Sequence, residues 1–406
     1  MRKETEMTSF GNDAIDLDVL RQRAYNLRWA EQPDGVIPLT AADSDFPVAP
    51  EIVQAVCDYA KAGYFSYTPK LGLPEFKASV ARALWDRKQE RIDPNLILPI
   101  DSAARGMEAI AKAILAPGDE AIVFDPVDFL FRTSMEAAGA TTRLFPSRMK
   151  DGHMDLSGLE EYITPKTKMV GLCNPHNPLG LLYTDDDLEY LLELSDKYGL
   201  YIMNDEVWSD IIYPGETFNS IMKFGPERNR RTLSVFGFSK SFGIAGLRAG
   251  CVYCTDQDLF DRVVDVTLVN ETIGGISSLS QIAGMACLDS AYYWVDAFMQ
   301  HIQQNRDYAL SRIEQMPGIS CHVPSATFVI FPDVSGVGME AEELVALLRD
   351  QYKLAIVPGG AKYFGPGSAG HVRICLATSH ELLKEGLDRL EACLDDIAAK
   401  HKGKGM

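Results

Sequence analysis

Long apolar runs are missing from this sequence of 406 residues. No stretch reaches the roughly 18 consecutive apolar residues that a membrane-spanning helix needs. Residues 1–20, MRKETEMTSFGNDAIDLDVL, also lack the apolar core of a secretory signal peptide. We therefore expect neither membrane insertion nor export, and the cytoplasm is the predicted location.

Basic blocks are scarce as well. The chain carries 57 acidic against 39 basic residues, a formal net charge of −18, and its one basic stretch is the tail KHKGKGM. Nucleic acids and anionic membranes attract basic surfaces, so this balance disfavours both as partners. A small molecule is the predicted partner.

Clustered metal ligands are the third absence. The seven histidines show no paired spacing, and the eight cysteines are scattered. Cys251 and Cys254 form a C-x-x-C, but they stand in the apolar run RAGCVYC, which is more typical of a buried strand than of zinc or redox chemistry. The sequence predicts no metal site.

Short β-rich runs alternate with helical segments between about residues 95 and 255. The runs are AIVFDP, MVGLCNP, LYIMNDEV, TLSVFGFS and AGCVYC, and the segments SAARGMEAIAKAIL and TDDDLEYLLELSDKYG have helical apolar spacing. This alternation predicts an α/β fold, a mostly parallel sheet between helices. From about residue 290 a long helix and two further strands predict a smaller α+β domain, with a site in the crevice between the two domains.

Ligands of parallel sheets bind beyond the carboxyl ends of the strands, so the residues there are the candidates. DSAARGMEAI opens a helix whose first N–H groups suit a phosphate, although many strand-to-helix turns have this composition. Asn174 and Asn177 stand in NPHNPLG, which ordinary turn chemistry explains equally well. Asp205 ends an apolar run and is expected to face a cation, unless it caps a helix.

Lys240 follows TLSVFGFS, with Arg248 eight positions later. A lysine among apolar neighbours tends toward a lowered pKa and becomes an amine that can form a Schiff base. A single lysine in a turn is more often a surface residue. The recurrence of a phosphate turn, a carboxylate, a lysine and an arginine at successive strand ends favours the catalytic interpretation.

In their order these segments resemble the class I/II aminotransferase family of the fold-type I pyridoxal-phosphate enzymes. The resemblance rests on YTPKLGLPEF, NPHNPLG, NDEVWSDI, FSKSFGIAGLRAG and HVRICLA, and it runs from about residue 35 to 395. It implies an N-terminal arm and part of a small domain over 1–50, a large domain binding pyridoxal 5'-phosphate over 51–293, and a C-terminal small domain over 294–406.

The resemblance also implies roles for single residues. Lys240, beside Ser239 in the cofactor-binding motif, would hold the cofactor as an aldimine and then shuttle the substrate proton. Asp205 would pair with the protonated pyridine nitrogen, and Asn177 would hydrogen-bond the phenolic oxygen as well as lie near the substrate. Arg373, aided by backbone near Ala42, would clamp the substrate carboxylate.

The phosphate would be held by one arginine, by the start of a helix and by a partner subunit. These residues are Arg248, the backbone of Ser102, Ala103 and Ala104, and Tyr67 from the second subunit of a homodimer.

Some positions depart from the family pattern. Trp208 stands where a tyrosine usually supports the phenolic oxygen, and Gly237 replaces a phosphate-binding serine. No aromatic residue aligns with the ring-stacking position, where Val127 or Asp128 falls, and Phe129 is the nearest candidate. The roles of Arg105 and Asp43 are left unassigned.

Two reactions stay open at this point. Transamination of an L-amino acid with a 2-oxo acid is the first, although the absence of Lys and Arg between Arg262 and Arg306 disfavours an aspartate-type specificity. TAADSDFP and AGYFSY resemble the cystathionine β-lyase-like C–S lyases, which would release a thiol, pyruvate and ammonia. A catalytically idle regulator is disfavoured because Lys240 and Asp205 are both present.

Overall fold

A computed structural model describes residues 10–271 and 275–404. The strands within this part are β1 (Ile37–Pro38), β2 (Ile97–Ile100), β3 (Glu120–Asp125), β4 (Thr141–Pro146), β5 (Met149–Lys150), β6 (His153–Met154), β7 (Thr167–Cys173), β8 (Tyr201–Asp205), β9 (Thr232–Gly237), β10 (Gly250–Cys254), β11 (Val329–Ile330), β12 (Leu354–Ala355), β13 (Val357–Pro358) and β14 (Val372–Cys375). The helices are α1 (Leu17–Arg23), α2 (Pro50–Lys61), α3 (Pro74–Lys88), α4 (Ala103–Ile114), α5 (Phe129–Ala137), α6 (Asp185–Tyr198), α7 (Phe238–Phe242), α8 (Gln257–Thr267), α9 (Ser278–Ser290), α10 (Tyr292–Ile313), α11 (Ala341–Tyr352) and α12 (His380–Lys404).

The chain divides into two compact units. The larger unit comprises Val48–Tyr292 and Ser325–Thr327, and the smaller unit comprises Met1–Pro47, Tyr293–Pro324 and Phe328–Met406. The domain boundaries drawn from the sequence stay a prediction.

A mixed sheet forms the centre of the larger unit. Its described strands run in the order β2-β10-β9-β8-β7-β3-β4. β10 is antiparallel to both of its neighbours, whereas β9, β8, β7, β3 and β4 pair in parallel. The predicted α/β fold with a mostly parallel sheet among helices is therefore confirmed.

The central strands are apolar because both of their faces are covered. Every residue of β9 is buried, and one exposed residue interrupts β7. The helix after β7 has strong local signals at both ends: Thr184 and Asp187 form a capping box at the start of α6, and Gly199 ends it in the left-handed conformation at φ 68°.

The smaller unit has short strands and long helices. β1 pairs in parallel with β12, and β14 lies between β11 and β13 with antiparallel pairing to both. Among the residues that the structure describes, no helix is long and apolar enough to cross a membrane.

Sheet topology determines which side chains share an edge. Cys173 of β7 pairs with Asp205 of β8, and Asp205 pairs with Val235 of β9. Gly250, which begins β10, pairs with Gly237 on one side and with Ile100 of β2 on the other. The residues that follow β2, β7, β8 and β9 consequently emerge at the same edge of the sheet.

Candidate active site

The first helix turn after β2 provides an anion-binding end. Ser102 caps α4, because its Oγ accepts a hydrogen bond from the Arg105 backbone N–H at 3.2 Å. The same hydroxyl donates a hydrogen bond to Asp101 Oδ1 at 3.0 Å. The N–H groups of Ala103 and Ala104 lie in the first turn, where a helix offers no internal acceptors. This end of α4 is suited to a phosphate.

Two glycines let the backbone approach this turn closely. A Cβ at Gly250 would lie 3.1 Å from the Phe236 carbonyl oxygen and 3.3 Å from the Ala103 nitrogen. A Cβ at Gly237 would lie 2.9 Å from Val207 Cγ2. A side chain at position 237 would therefore crowd Val207, which would have to shift.

Arg248 follows a short 3-10 helix over Ala245–Leu247 and has a positive φ of 51°. This left-handed conformation costs a residue other than glycine about 1 kcal/mol. Its side chain is exposed, whereas Ser239, at the second position of α7, is partly buried.

Asp205 ends β8 with only 6% of its surface exposed. Its carboxylate accepts a hydrogen bond from the Val207 N–H at 3.0 Å. Burial raises the pKa of Asp205 to about 7; Asp128 and Glu206 add to the rise, while the Val207 N–H and the Lys240 ammonium oppose it. Burial disfavours the ionised form of this carboxylate, and a cation beside it would stabilise that form.

Lys240 and Trp208 lie against each other. The Lys240 Nζ is 5.4 Å from the centroid of the Trp208 ring, within the range of a cation–π contact. Trp208 is 2% exposed, and Lys240 is partly buried in the one-turn helix α7. The amine is therefore held on an aromatic face and close enough to Asp205 to influence its pKa.

Asn177 lies in the loop after β7 and is buried. Its Nδ2 donates a hydrogen bond to Asp128 Oδ2 at 3.0 Å, and Asp128 also caps α5 through the Leu130 N–H at 3.1 Å. In the sequence, Asp128 was noted only as a non-aromatic residue at the expected ring-stacking position, and this contact was not predicted. Phe129, the predicted stacking residue, is 40% exposed at the start of α5.

The predicted substrate residues Ala42 and Arg373 belong to the smaller unit. Arg373, in β14, is 9% exposed; its Nη2 donates to the Thr40 carbonyl at 3.4 Å, and its guanidinium lies 5.0 Å from the Phe364 ring centroid. Ala42 is buried, two residues after Thr40.

Arg28 supports the same segment and was missed by sequence reasoning. It forms a buried ion pair with Asp45, and its Nη1 donates to the Ala41 carbonyl at 3.0 Å. Trp29 Nε1 donates to the same Asp45 carboxylate at 2.7 Å. The Asp43 carboxylate lies near enough to Arg28 to add to the favourable electrostatics of this guanidinium, and its Oδ1 accepts a hydrogen bond from the Ser44 N–H at 3.0 Å.

Two further candidates lie at more accessible positions. Tyr67 is 96% exposed in the chain by itself. Arg105 forms an ion pair with Glu108, one helical turn along α4, at 2.7 Å. That pair gives Arg105 a local structural partner.

These groups fit pyridoxal phosphate on chemical grounds. The end of α4, which the Gly250 backbone approaches closely, suits a phosphate anion. The raised pKa of the buried Asp205 shows a carboxylate that a cationic ring nitrogen would compensate. Lys240 supplies an amine in the same unit.

Comparisons with known proteins agree with this chemistry. The family described as aminotransferase class I and II matches residues 34–390. The chain is 31% identical to an aspartate aminotransferase of Thermotoga maritima (89% of this chain, 92% of the relative) and 29% identical to an aspartate aminotransferase of Pyrococcus horikoshii (90% and 92%).

The fold is shared with cystalysin of Treponema denticola, whose crystal structure contains pyridoxal 5'-phosphate. The TM-score is 0.87 at 23% identity, with 96% of this chain and 99% of that chain covered. The chain therefore belongs to the aminotransferase class I and II family, and it is an enzyme that uses pyridoxal 5'-phosphate as its cofactor.

Proposed function

We propose that the residues at the edge of the β7-β8-β9 sheet hold the cofactor of an aminotransferase that moves an α-amino group from an L-amino acid to a 2-oxo acid. The observation that carries this proposal is the convergence of three groups in one unit: the first turn of α4, the buried Asp205 and the amine of Lys240. When bound, pyridoxal phosphate supplies an electron sink that stabilises negative charge at the substrate Cα.

Lys240 is the proposed catalytic base. Its Nζ would hold the cofactor covalently and, once displaced by the substrate amine, take the proton from the substrate Cα. Asp205 would keep the ring nitrogen protonated, and the Trp208 ring, 5.4 Å from Nζ, would orient the amine. Asn177 would donate toward the phenolic oxygen from the loop after β7.

The phosphate would lie on the N–H groups of Ala103 and Ala104, next to Ser102 and Ser239. Arg248 adds a positive charge, and its unfavourable backbone conformation supports a positioned rather than an incidental side chain. Phe129 is retained as the proposed stacking residue.

Arg373 is the proposed clamp for the substrate carboxylate. Its guanidinium is buried and oriented by Thr40 and Phe364, and a planar guanidinium binds a carboxylate through two parallel hydrogen bonds. The backbone near Ala42 would complete this subsite, and the buried ion pair between Arg28 and Asp45 would hold that backbone in place.

The proposed assembly is a homodimer in the cytoplasm. Tyr67 is almost fully exposed, and its neighbours Tyr64 and Phe65 are 79% and 59% exposed. An exposed aromatic cluster of this kind supports a subunit interface, across which Tyr67 would reach the partner's phosphate. Light scattering should give the mass of two chains; a mass of one chain at micromolar concentration would contradict the interface.

The amino acid that is accepted needs a direct screen. Aspartate is named for several relatives, whereas residues 263–305 of this chain contain no lysine or arginine to bind a second carboxylate. Holoenzyme should be mixed with each L-amino acid in turn, with 2-oxoglutarate as acceptor, and the 2-oxo acid product identified. No 2-oxo acid from any of them would refute the proposal.

A β-elimination is the second candidate, because TAADSDFP and AGYFSY resemble C–S lyases. L-Cystathionine without any 2-oxo acid separates the two. Sustained release of pyruvate, ammonia and a thiol over many turnovers would replace transamination by β-elimination as the principal activity.

A further inference from the structure

A second cluster of ionisable side chains includes the residue that directly follows Asp205 in the chain. It consists of Lys88, Glu90 and Glu206, which are 6%, 0% and 0% exposed. Lys88 ends α3, Glu90 follows two residues later, and Glu206 is the residue after Asp205. The cluster belongs to the larger unit and shares no residue with the proposed cofactor contacts.

Glu206 is fully supplied with hydrogen-bond donors. The Lys88 ammonium lies 2.9 Å from its Oε2, which also accepts from the Tyr253 hydroxyl at 3.2 Å. Its Oε1 accepts from Asn204 Nδ2 at 2.8 Å and from Ser220 Oγ at 2.9 Å. Burial alone would raise the pKa of Glu206, but Lys88 and these donors hold it below its usual value.

Glu90 is in the opposite situation. Hydrogen-bond geometry gives neither of its buried carboxyl oxygens a partner among the described residues. The Ser220 and Tyr253 hydroxyls lie near Glu90, but both donate to Glu206. The Glu206 carboxyl interacts with Glu90 directly. A buried carboxylate without donors is strongly disfavoured, whereas a protonated carboxyl would itself donate to Glu206. Burial and Glu206 raise the pKa of Glu90 well above its usual value, and they outweigh the opposing effects of Lys88 and the Ser220 hydroxyl.

Charge balance leads to the same result. With both glutamates ionised, the single ammonium of Lys88 would leave one buried negative charge uncompensated. One proton on Glu90 makes the cluster neutral. The other groups that act on it are Asp210 beside Lys88, and Cys251 and Tyr253 on β10. Burial raises the pKa of Cys251 to about 12, so its thiol is neutral.

Glu206 connects this cluster to the proposed site. Its backbone N–H donates to the Val235 carbonyl at 3.0 Å, directly after the residue pair Asp205–Val235 in the sheet. We propose that Lys88, Glu90 and Glu206 form a neutral positioning cluster in which Glu90 carries the proton and Glu206 the negative charge, and that this anion tunes the proton affinity of Asp205. The proposal rests on the proposed role of Asp205 toward the cofactor.

Infrared spectroscopy of the apoprotein tests where the proton is. The difference spectrum of wild type minus Glu90→Gln at pH 7 should contain the C=O stretch of a protonated carboxylic acid, because Glu90→Gln removes it. Glu160→Gln, an exposed glutamate paired with Lys197, is the control and should show no such band. Glutamate labelled with ¹³C should shift the band in the wild type without any substitution. Absence of a ¹³C-sensitive band would mean that Glu90 is ionised and would overturn the proposal.

Two neighbouring Glu→Gln changes test the tuning. With ¹³C-labelled aspartate, the protonation midpoint of Asp205 in the apoprotein can be followed, and Asp205→Asn identifies its band. Glu206→Gln leaves Glu90 as the carboxyl that compensates Lys88, so the negative charge moves from the residue beside Asp205 to Glu90. The Asp205 midpoint should fall by about one pH unit, a roughly tenfold fall in proton affinity. Glu90→Gln replaces one neutral group by another and should leave the midpoint within a few tenths of a unit.

Equal midpoint shifts in the two variants would refute the charge assignment. The outcome is independent of the proposed function, because no cofactor is present in either experiment. If Asp205 were not the cofactor partner, Asp205→Asn would bind pyridoxal phosphate as tightly as the wild type, and the infrared results on the cluster would be unchanged.

Discussion

Replacing Asp205 by asparagine should remove a pH-dependent penalty from the apoprotein. The folded pKa of Asp205 is raised from 3.8 to about 7, chiefly by burial. Between these two values the folded chain holds a proton that the unfolded chain has released. The stabilising contribution of this proton is fully present below pH 3.8 and is lost as the pH rises through 7.

The size of the effect follows from the shift. A rise from 3.8 to about 7, at about 1.4 kcal/mol per unit, corresponds to roughly 4 kcal/mol of unfolding free energy lost between acid and mildly alkaline pH. Asparagine has nearly the same shape and cannot ionise, so Asp205→Asn should lack this loss. The same variant should bind pyridoxal phosphate more weakly, because it cannot pair with a protonated ring nitrogen.

Calorimetric unfolding of the apoprotein in two buffers of different ionisation enthalpy counts the protons released. At pH 5.5 the wild type should release about one proton more than Asp205→Asn. Asp186→Asn, an exposed aspartate in the first turn of α6, is the control and should match the wild type. Equal proton release from wild type and Asp205→Asn would refute a raised pKa at this position.

Three further substitutions separate the remaining roles. Lys240→Ala should abolish turnover but still bind the cofactor. Borohydride reduction should therefore add the mass of the cofactor to the peptide that contains Lys240 in the wild type only. Near-normal rates in the variant would disprove the assignment. Gly237→Ser should destabilise the protein by about 1–3 kcal/mol in chemical denaturation, because its Cβ would lie 2.9 Å from Val207 Cγ2; Gly246→Ser, where a Cβ meets nothing within 4 Å, is the control, and equal effects would contradict the packing explanation. Arg373→Ala should mainly raise the amino-acid KM, with about 2–5 kcal/mol lost in kcat/KM; an unchanged KM would place the clamp elsewhere.

Much of the sheet could be predicted from local sequence. The runs that form β7, β8 and β9 are apolar stretches that end in Asn-Pro, Asp-Glu and glycine. Residues of these types are typical of strand ends. The run TLSVFGFS was expected to continue as a strand through Ser239, but β9 ends at Gly237 and Phe238–Phe242 form a one-turn helix. A single turn is too short to show helical periodicity.

The polar contacts could not be predicted in the same way. Asp128 and Asn177 are 49 positions apart, and Lys88 and Glu206 are 118 apart. Their pairing depends on which strands become neighbours, and one sequence contains no periodic signal for that. Lys88 reads as an ordinary basic residue in the last turn of α3, although it is one of the most buried charges of the larger unit.

Product stoichiometry in the absence of an acceptor is the most direct measurement of the reaction. Holoenzyme at high concentration should be mixed with excess of the best L-amino acid and no 2-oxo acid. Transamination through this site predicts one equivalent of 2-oxo acid per chain, no ammonia, and renewed release once a 2-oxo acid is added. Continuous release of pyruvate and ammonia without an acceptor would contradict it.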